Sequence, residues 1–317
     1  MHTQVAIIGA GPAGLLLSQL LSLDRIESIV LETKSRAYVE SRIRAGVLEH
    51  GTVQLLCDAG VSERLKKQGM RHEGINLGFA GVIHRINLAD LTGGKAVTVY
   101  GQHEVVKDLI AARINAGCQI LFEVDDVCLD AFTTEQPRVR FRHQSENREI
   151  TCDWIAGCDG SHGVSRLSIP ASAVNTFEKT YPFGWLGILA EAAPAWEELI
   201  YTHHEEGFAL FSMRSPGVTR LYLQCQPEED LSKWSDERVW EHLERRLSFP
   251  GKQAGAPRKS SAKRCDGDAK FRRGTDAVRA PVSSGRRSSY SAADWSQRDE
   301  SGSKRCPVVG PSAFRLL

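Results

Sequence analysis

The sequence predicts an α/β protein in which a βαβ unit opens the chain and an antiparallel sheet follows it. Residues 4–32 are typical of a strand, a glycine turn, a helix and a second strand, and residues 5–8 are a continuous apolar run, as in parallel strands covered on both faces. Between residues 181 and 226, short apolar and aromatic runs are separated by Pro and Gly, which is typical of antiparallel strands. The two patterns indicate two structural units.

Length, charge and cysteine spacing limit the class of protein. The chain has 317 residues and a net charge of +1, which is long enough for one large or two moderate domains. Residues 1–250 hold 25 basic and 33 acidic side chains, so we expect no nucleic-acid partner for this acidic body. The eight cysteines form no CxxC pair, which predicts neither a metal site nor a disulfide framework. The chain opens on a strand pattern and has no apolar run of membrane length, so we expect no membrane partner and a reduced, cytoplasmic protein.

Further elements are predicted from their periodicity: amphipathic helices at 52–69 and 103–117, a hairpin at 139–160 and a helix at 235–247. Gly117 is expected to close the second helix, and Ser235 to cap the start of the last one. No element is predicted beyond about Phe249.

A glycine fingerprint lies in the first turn of the βαβ unit. In Gly9-x-Gly11-x-x-Gly14 the first glycine permits a tight turn, the second a close backbone approach to a pyrophosphate, and the third close helix–strand packing. Glu32 follows 18 residues after Gly14, at the end of the second strand, where its carboxylate can accept hydrogen bonds from a ribose. The fingerprint predicts a Rossmann-like dinucleotide-binding domain and by itself leaves FAD and NAD as alternatives.

Two further features favour FAD. Arg42 and Arg44 follow the βαβ unit, and two arginines can clamp a pyrophosphate, although solvated loop charge is the alternative. Asp159-Gly160 ends a predicted strand, so that an acid beside a glycine turn can bond a ribityl or ribose hydroxyl.

Residues 1–247 closely resemble the flavoprotein aromatic hydroxylases. The resemblance is carried by the stretches "QVAIIGAGPAGLLL", "RIRAGVLE", "GKAVTVYGQHEV", "IAGCDGSHGVSR", "YPFGWLGILA", "ELIY", "GFAL" and "WSDERVWEHL". It implies an FAD-binding domain over residues 1–72 and 99–179, and a substrate-binding domain with the antiparallel sheet over residues 73–98 and 180–250.

The resemblance also implies an activity. We expect FAD-dependent, NAD(P)H-consuming hydroxylation of a small phenolic acid with molecular oxygen, with 4-hydroxybenzoate as substrate and 3,4-dihydroxybenzoate as product. The flavin would carry the redox step, a cation would hold the substrate carboxylate, and the phenol would have to ionise. A hydroxylase of another phenolic acid and a non-catalytic nucleotide-binding remnant are the alternatives. The sequence does not determine the oligomeric state, and a homodimer is one option.

By position, the resemblance implies three groups of site residues. At the substrate they are Ser212, Arg214 and Tyr222 around the carboxylate, Arg220 near the flavin, and Tyr201 on the phenol hydroxyl, from which protons would pass towards His72. At FAD they are Gly9, Gly11, Gly14, Glu32, Arg44, Gln102 and Asp159. At the nicotinamide nucleotide they are Tyr38, Arg42, His162 and Arg166.

Taken alone, the same residues support these roles less strongly. Tyr201 and Tyr222 alternate with apolar residues, as ordinary sheet residues do. Ser212 and Arg214 are two apart on a predicted strand and share a face, which fits either convergent contacts or a solvated face. His72 alone would be taken as a surface histidine.

One departure from the family concerns the choice of nicotinamide cofactor. Thr33-Lys34 stands where the best-known members carry an arginine and a neutral amide. One cation remains for the phosphate of NADPH, but a lysine is a weaker bidentate partner than an arginine. We therefore expect NADPH, with NADH as the alternative.

Residues 251–317 depart from the family pattern. They hold 15 basic and 6 acidic side chains and few large apolar ones, which is below the content that usually sustains a core. The family's segment Gly-Asp-Ala-Ala-His-Ile-Val-Pro-Pro-Thr-Gly, translated one base out of frame, can reproduce residues 286–295, and a similar operation gives residues 270–276. The sequence predicts a frame-shifted, disordered or non-native tail, with a native basic tail as the alternative. We expect such a chain to hold FAD weakly and to give hydrogen peroxide in place of product.

Overall fold

The computed structural model describes residues 1–173, 177–192, 194, 196–250, 260–266 and 270–273. The strands in these residues are β1 (His2–Ile8), β2 (Ser28–Leu31), β3 (Val47–Leu48), β4 (Met70–His72), β5 (Gly74–Phe79), β6 (Val82–Asn87), β7 (Val97–Val99), β8 (Gln119–Leu121), β9 (Asp125–Asp130), β10 (Arg138–His143), β11 (Glu146–Gly157), β12 (Phe177–Thr180), β13 (Gly184–Ala190), β14 (Ile200–Thr202), β15 (Ala209–Ser215), β16 (Val218–Cys225), β17 (Ser260–Asp266) and β18 (Lys270–Arg273). The α-helices are α1 (Pro12–Leu23), α2 (Arg36–Ser41), α3 (His50–Asp58), α4 (Glu63–Gln68), α5 (Leu88–Thr92), α6 (Gln102–Asn115), α7 (Val164–Leu167) and α8 (Asp236–Leu247).

A six-stranded sheet carries the predicted βαβ unit. Its strand order is β8-β2-β1-β11-β10-β9, with β1 parallel to both β2 and β11. All four residues of β2 are buried, as expected for a parallel strand covered on both faces. Leu15 and Leu16 of α1 are fully buried and share one core with Ile7 and Val30 of the strands. The predicted α/β fold class is confirmed.

A seven-stranded sheet forms the second unit, in the order β17-β13-β16-β15-β14-β5-β6. Neighbouring strands pair antiparallel, except that β14 lies parallel to β5. Its core holds Leu186, Phe211 and Leu223 from the strands and Val239 and Leu243 from α8. The antiparallel sheet predicted between residues 181 and 226 is confirmed, and it also takes in β5 and β6. The domain boundaries predicted at residues 72, 98, 179 and 250 stay predictions.

A small sheet, β3-β7-β4, connects the two cores. Leu48 of β3 belongs to the core beside α1, whereas Val99 of β7 belongs to the core of the seven-stranded sheet. The loop of residues 44–46, just before β3, is therefore held where the two units meet.

Three local predictions are confirmed. Gly117, which follows α6, has a φ of +75°, the left-handed conformation that closes a helix. Gln144 and Ser145 both have positive φ and join β10 to β11 as a two-residue hairpin turn. Ser235 caps α8, since its hydroxyl accepts a hydrogen bond from the N–H of Arg238.

The single helix predicted over residues 52–69 is wrong, because two helices occupy this segment. α3 ends at Asp58 and α4 begins at Glu63. Gly60 lies between them with a φ of +72°, so the chain leaves the right-handed helical conformation there.

The prediction that no element follows Phe249 is also wrong. β17 pairs antiparallel with β13, and β18 pairs antiparallel with β12. Backbone hydrogen bonds make such pairing, so an exposed edge can accept a strand that is poor in apolar side chains. Lys263 of β17 also donates to the carbonyl oxygen of Trp234 at 2.9 Å. The frame-shift interpretation of residues 286–295 falls outside the described residues.

Across the described ranges, none of the helices is long and apolar enough to cross a membrane.

Candidate functional site

The carboxyl ends of three parallel strands meet at one edge of the six-stranded sheet. Ile8 of β1 is in register with Leu31 of β2 and with Gly157 of β11. The next residues along each strand, Gly9, Glu32 and Cys158-Asp159, therefore lie at the same edge. In open α/β sheets this is where a ligand binds.

The three fingerprint glycines of this edge meet different constraints. Gly9 has a φ of +106°, and a Cβ there would lie 2.6 Å from the carbonyl oxygen of Cys158. A Cβ on Gly14 would lie 2.1 Å from the carbonyl oxygen of Gly9, so α1 approaches the turn only because no side chain is present. A Cβ on Gly11 would meet nothing within 4 Å. This open space adjoins the start of α1, whose first N–H groups have no side-chain cap and can donate to an anion.

Two carboxylates at this edge are oriented by backbone N–H groups. The Oε2 of Glu32 accepts from the N–H of Ala10 at 2.8 Å, and its Oε1 accepts from the N–H of Lys34 at 2.9 Å. The Oδ2 of Asp159 accepts from the N–H of Ser165 at 3.0 Å. Each carboxylate oxygen has a further lone pair, so both groups can still accept a ligand hydroxyl.

Gln102 reaches the same region through the loop of residues 44–46. Its N–H donates to the carbonyl oxygen of Ala45 at 3.0 Å, and the N–H of Tyr100 donates to that of Gly46 at 2.9 Å. Gln102 is 8% exposed, and its Oε1 has no hydrogen-bond partner in the described part of the chain. Because an unsatisfied buried amide oxygen is costly, a ligand donor is expected there.

The residues predicted for the nicotinamide nucleotide lie on two separate elements. Tyr38 is on α2, and the guanidinium carbon of Arg42 lies 5.6 Å from the centre of its ring. Arg166 lies in α7 and His162 lies just before it, so both are close in sequence to Asp159. Arg44 is exposed on the loop after α2. Their roles stay predictions.

The predicted substrate residues share one face of the seven-stranded sheet. Leu210 of β15 lies between Tyr201 of β14 and Tyr222 of β16, and Ser212 of β15 is opposite Arg220 of β16. Side chains two apart on a strand, or directly opposite across strands, lie on the same face. The structure therefore brings together Tyr201, Ser212, Arg220 and Tyr222 from three strands. Arg214, where the β15–β16 register is irregular, joins them through its hydrogen bond to Ser212.

Arg214 is the most unusual of these residues. Its Nη1 donates to the hydroxyl of Ser212 and to the carbonyl oxygen of Met213, both at 2.9 Å. Its Nε is buried and has no acceptor in the part of the chain that the structure describes. A Cβ on Gly46 would lie 3.1 Å from that Nε, so the guanidinium lies against the 44–46 loop. Burial lowers the pKa of Arg214 to about 10, and Arg220 acts in the same direction.

No ion pair in the described residues involves Arg214, and none involves Arg220. A buried cation without an anion is costly, so an anion that reached this face would be bound favourably. Arg220 also has a buried Nε without an acceptor, and its guanidinium carbon lies 4.9 Å from the centre of the Tyr222 ring. Gly187 of β13 makes room for it, because a Cβ there would lie 2.7 Å from Nη2 of Arg220.

The two residues of the predicted proton relay lie on different sides of the sheet. Burial raises the pKa of Tyr201, and the nearby Tyr222 acts in the same direction. His72 is 2% exposed, so its alternative interpretation as a surface histidine is wrong. Its Nε2 lies 3.1 Å from Sδ of Met213, which follows Ser212 on β15 and therefore lies on the opposite face from it. The relay itself stays a prediction.

Four residues that shape the site carry no signal in the sequence. Gly46 and Gly187 leave space for the two arginines, and Gly163 leaves space for Asp159, whose Cγ would lie 2.1 Å from a Cβ there. His103, at the start of α6, interacts electrostatically with Arg214. Each matters through a neighbour that is distant in sequence or through a local turn, so no spacing rule could have found them.

Comparison with known proteins agrees with this geometry. The family described as "FAD binding domain" matches residues 2–273, so the chain belongs to this family of FAD-binding proteins. The match extends past residue 247, where the resemblance was predicted to end.

Among curated proteins, the p-hydroxybenzoate hydroxylase of Acinetobacter baylyi (strain ATCC 33305 / BD413 / ADP1) is 51% identical to the chain over 247 residues. The aligned part is 78% of this chain and 61% of that protein, so the chain spans less than two thirds of its relative. The predicted resemblance is confirmed.

Solved structures share the fold. The p-nitrophenol 4-monooxygenase of Pseudomonas putida DLL-E4 superposes with a TM-score of 0.69 at 17% identity, over 86% of this chain and 68% of that one. A probable FAD-dependent monooxygenase of Pseudomonas aeruginosa gives 0.65 at 19% identity, over 81% of this chain and 73% of that one.

Proposed function

We propose that this chain is the FAD-binding and substrate-binding part of a hydroxylase that converts 4-hydroxybenzoate to 3,4-dihydroxybenzoate with NAD(P)H and molecular oxygen. The observation that carries the proposal is Arg214, a buried guanidinium that has no counter-ion among the described residues and lies on a sheet face that adjoins the FAD-binding unit. A benzoate carboxylate supplies the missing anion. The name of the relative that is 51% identical supports the same substrate.

The cofactor residues have distinct roles in this proposal. The pyrophosphate of FAD would lie over Gly11, at the start of α1. Glu32 and Asp159 would accept hydrogen bonds from ribose and ribityl hydroxyls. The amide oxygen of Gln102 would accept a hydrogen bond from an N–H or O–H group of FAD. Bound FAD would supply the redox step and the activation of oxygen.

The substrate residues would orient the ring and handle its proton. Arg214, with Ser212 and Tyr222, would hold the carboxylate. Tyr201, whose pKa is raised, stays protonated at neutral pH and can donate a hydrogen bond to the phenolate oxygen once the phenol has lost its proton. His72, which is buried, is the proposed end of the proton path.

The finer assignments are also proposals. NADPH is the proposed reductant and NADH the alternative, with Lys34 as the nearby cation. Tyr38, Arg42, His162 and Arg166 are the residues proposed to contact it. We further propose a cytoplasmic enzyme, and a homodimer as the assembly to test by sedimentation.

Two other functions compete with the main proposal. A hydroxylase of another phenolic acid would use the same arginine with a different ring substituent. A non-catalytic nucleotide-binding remnant is favoured by the departure of residues 251–317 from the family pattern.

An activity assay separates the three possibilities. The purified chain, supplied with FAD, is mixed with NADPH and 4-hydroxybenzoate, 3-hydroxybenzoate or buffer, and NADPH loss, hydrogen peroxide and 3,4-dihydroxybenzoate are quantified. Faster NADPH oxidation with 4-hydroxybenzoate alone supports the proposal. Stimulation by another acid alone supports the second function. FAD binding without stimulation by either acid supports the remnant.

The same assay tests the predicted effect of the tail. The product and peroxide yields of residues 1–317 are compared with those of a version whose reading frame is restored after Phe249. We expect hydrogen peroxide from residues 1–317 and 3,4-dihydroxybenzoate from the restored version. A closed site excludes water, and this exclusion prevents the wasteful breakdown of reactive intermediates. Stoichiometric product from residues 1–317 would show that the tail is functional.

A further inference from the structure

His103 follows Gln102, whose N–H donates to the carbonyl oxygen of Ala45 in the same 44–46 loop that lies against the Arg214 guanidinium. Its ring folds back over Gly101, where a Cβ would lie 2.5 Å from Cε1 and 2.8 Å from Nδ1. The side chain is 21% exposed, its Nε2 lies 3.1 Å from Oε1 of Glu104, and its buried Nδ1 has no hydrogen-bond partner in the described residues. A carboxylate oxygen accepts, so the neutral ring carries its proton on Nε2 and leaves Nδ1 free to take one.

Four charged groups surround His103. Glu104 favours the imidazolium, and Glu104 is itself paired with Lys107 and Arg64. Arg214, Lys107 and Arg64 disfavour the imidazolium, and burial disfavours it most, so the pKa of His103 lies below its ordinary value of 6.5. Arg214 is the group among these that a ligand would neutralise.

We propose that His103 is a titratable cationic group of the carboxylate site, neutral when the site is empty and protonated at Nδ1 when a benzoate carboxylate binds Arg214. This rests on the proposed function of Arg214. Binding of the anion cancels the repulsion that Arg214 exerts on an imidazolium, and the protonated ring then attracts the same anion through space. The proton comes from solvent, so anion binding and proton uptake are linked.

The sign of the linkage follows directly. The empty site holds His103 neutral at and above pH 7, and the occupied site binds a proton more readily. Benzoate affinity therefore rises as the pH falls from 8 to 6, and a shift of one pKa unit corresponds to about a tenfold change in affinity. His103 acts as a positioning residue through this charge and needs no contact with the reacting atoms.

Benzoate is the probe for the test because it has the carboxylate but no phenol proton to exchange with Tyr201 or His72. Titration calorimetry of the full chain with FAD, in two buffers of different ionisation enthalpy, gives the number of protons taken up per benzoate. We expect fractional proton uptake near pH 6.5, and a dissociation constant about three- to tenfold higher at pH 8 than at pH 6. His103→Gln should lose both effects and still bind benzoate. His84→Gln is the matched control, because His84 is exposed on β6 and stacks on Phe79.

Glu104→Gln provides a second variant, and it should reduce proton uptake because it removes the anion that favours the imidazolium. Proton uptake that is unchanged in both His103→Gln and Glu104→Gln would overturn this proposal and leave the role of Arg214 intact. Absence of benzoate binding to the unmodified chain at every pH would overturn the proposed function and this proposal together.

Discussion

The two halves of the candidate site differ in how far the chain itself satisfies their polar groups. At the proposed nucleotide edge, where Gly9, Glu32 and Asp159 follow the parallel strands, the backbone turns without side chains and both carboxylates accept hydrogen bonds from the chain itself. On the proposed substrate face, the face of the seven-stranded sheet that carries Arg214 and Arg220, these two arginines have buried nitrogen atoms without acceptors and no counter-ion among the described residues. The first half is largely complete before a ligand arrives, whereas the second half is completed by its ligand.

This difference has an energetic meaning. A satisfied carboxylate or a tightly packed glycine stabilises the ligand-free fold, so altering it is costly at once. An unpaired buried cation destabilises the ligand-free fold and is compensated only when an anion binds. Variants in the two halves should therefore both weaken ligand binding, but they should change the stability of the ligand-free chain differently.

The largest effect is expected at the fingerprint glycines. Gly14→Ala places a methyl group 2.1 Å from a backbone carbonyl oxygen, which cannot move without opening the turn. We expect a loss of about 3 kcal/mol or more in the free energy of unfolding and loss of FAD binding. Gly11→Ala meets nothing within 4 Å, so it should keep the stability of the ligand-free chain and lower FAD affinity by about tenfold or more. Urea unfolding and flavin fluorescence quenching measure the two effects, and equal destabilisation by both variants would contradict the comparison.

The next effect is expected at Arg214. Arg214→Gln removes the buried charge, so it should raise the free energy of unfolding of the ligand-free chain by about 1 kcal/mol while weakening benzoate binding at least about a hundredfold. Arg246→Gln is the matched control, because Arg246 is also a buried guanidinium that donates two hydrogen bonds, but it lies on α8, which packs on the opposite face of the sheet. That variant should change the free energy of unfolding to a similar extent and leave benzoate affinity unchanged. Normal benzoate binding by Arg214→Gln would show that the carboxylate does not bind at Arg214.

A moderate effect is expected from pH. Burial lowers the pKa of His72 below its ordinary value of 6.5, so the unfolded chain binds a proton at His72 that the folded chain does not. Stability should therefore fall as the pH is lowered from 7 to 5, with a limiting slope of about 1.4 kcal/mol per pH unit for one such group. His72→Gln should flatten this dependence, whereas His84→Gln should not. Parallel pH profiles for His72→Gln and the unmodified chain would show that His72 does not titrate in this way.

The smallest effect is expected at Gly187. A Cβ there would lie 2.7 Å from Nη2 of Arg220, which is the far end of a flexible side chain and can move away. Gly187→Ala should change the free energy of unfolding by less than about 1 kcal/mol. In the version whose reading frame is restored after Phe249, it should displace Arg220 and lower the ratio of hydroxylated product to NADPH consumed. An unchanged ratio would remove Arg220 from the proposed site.

The elements of the proposed nucleotide edge could be predicted from the sequence alone. The βαβ unit, the glycine spacing and Glu32 lie within one short segment, and local rules for strands, turns and helix starts are enough to place them. The same local rules correctly predicted the hairpin before Asp159 and the Ser235 cap. They failed at Gly60, where the left-handed conformation of one residue divides a helical pattern, and after Phe249, where strands pair with edges that are far away in sequence.

The burial and register of the proposed substrate face could be seen only in the folded structure. Alternation along a strand puts Ser212 and Arg214 on one face but does not say whether that face is buried. Burial and register come from non-local pairing, which aligns Ser212 with Arg220 and brings Gly46 against Arg214. The same long-range packing buries His72 and places His103 near Arg214. The buried positive charge of Arg214 is therefore a property of the folded chain. The side chain is desolvated only after segments distant in sequence have packed around it.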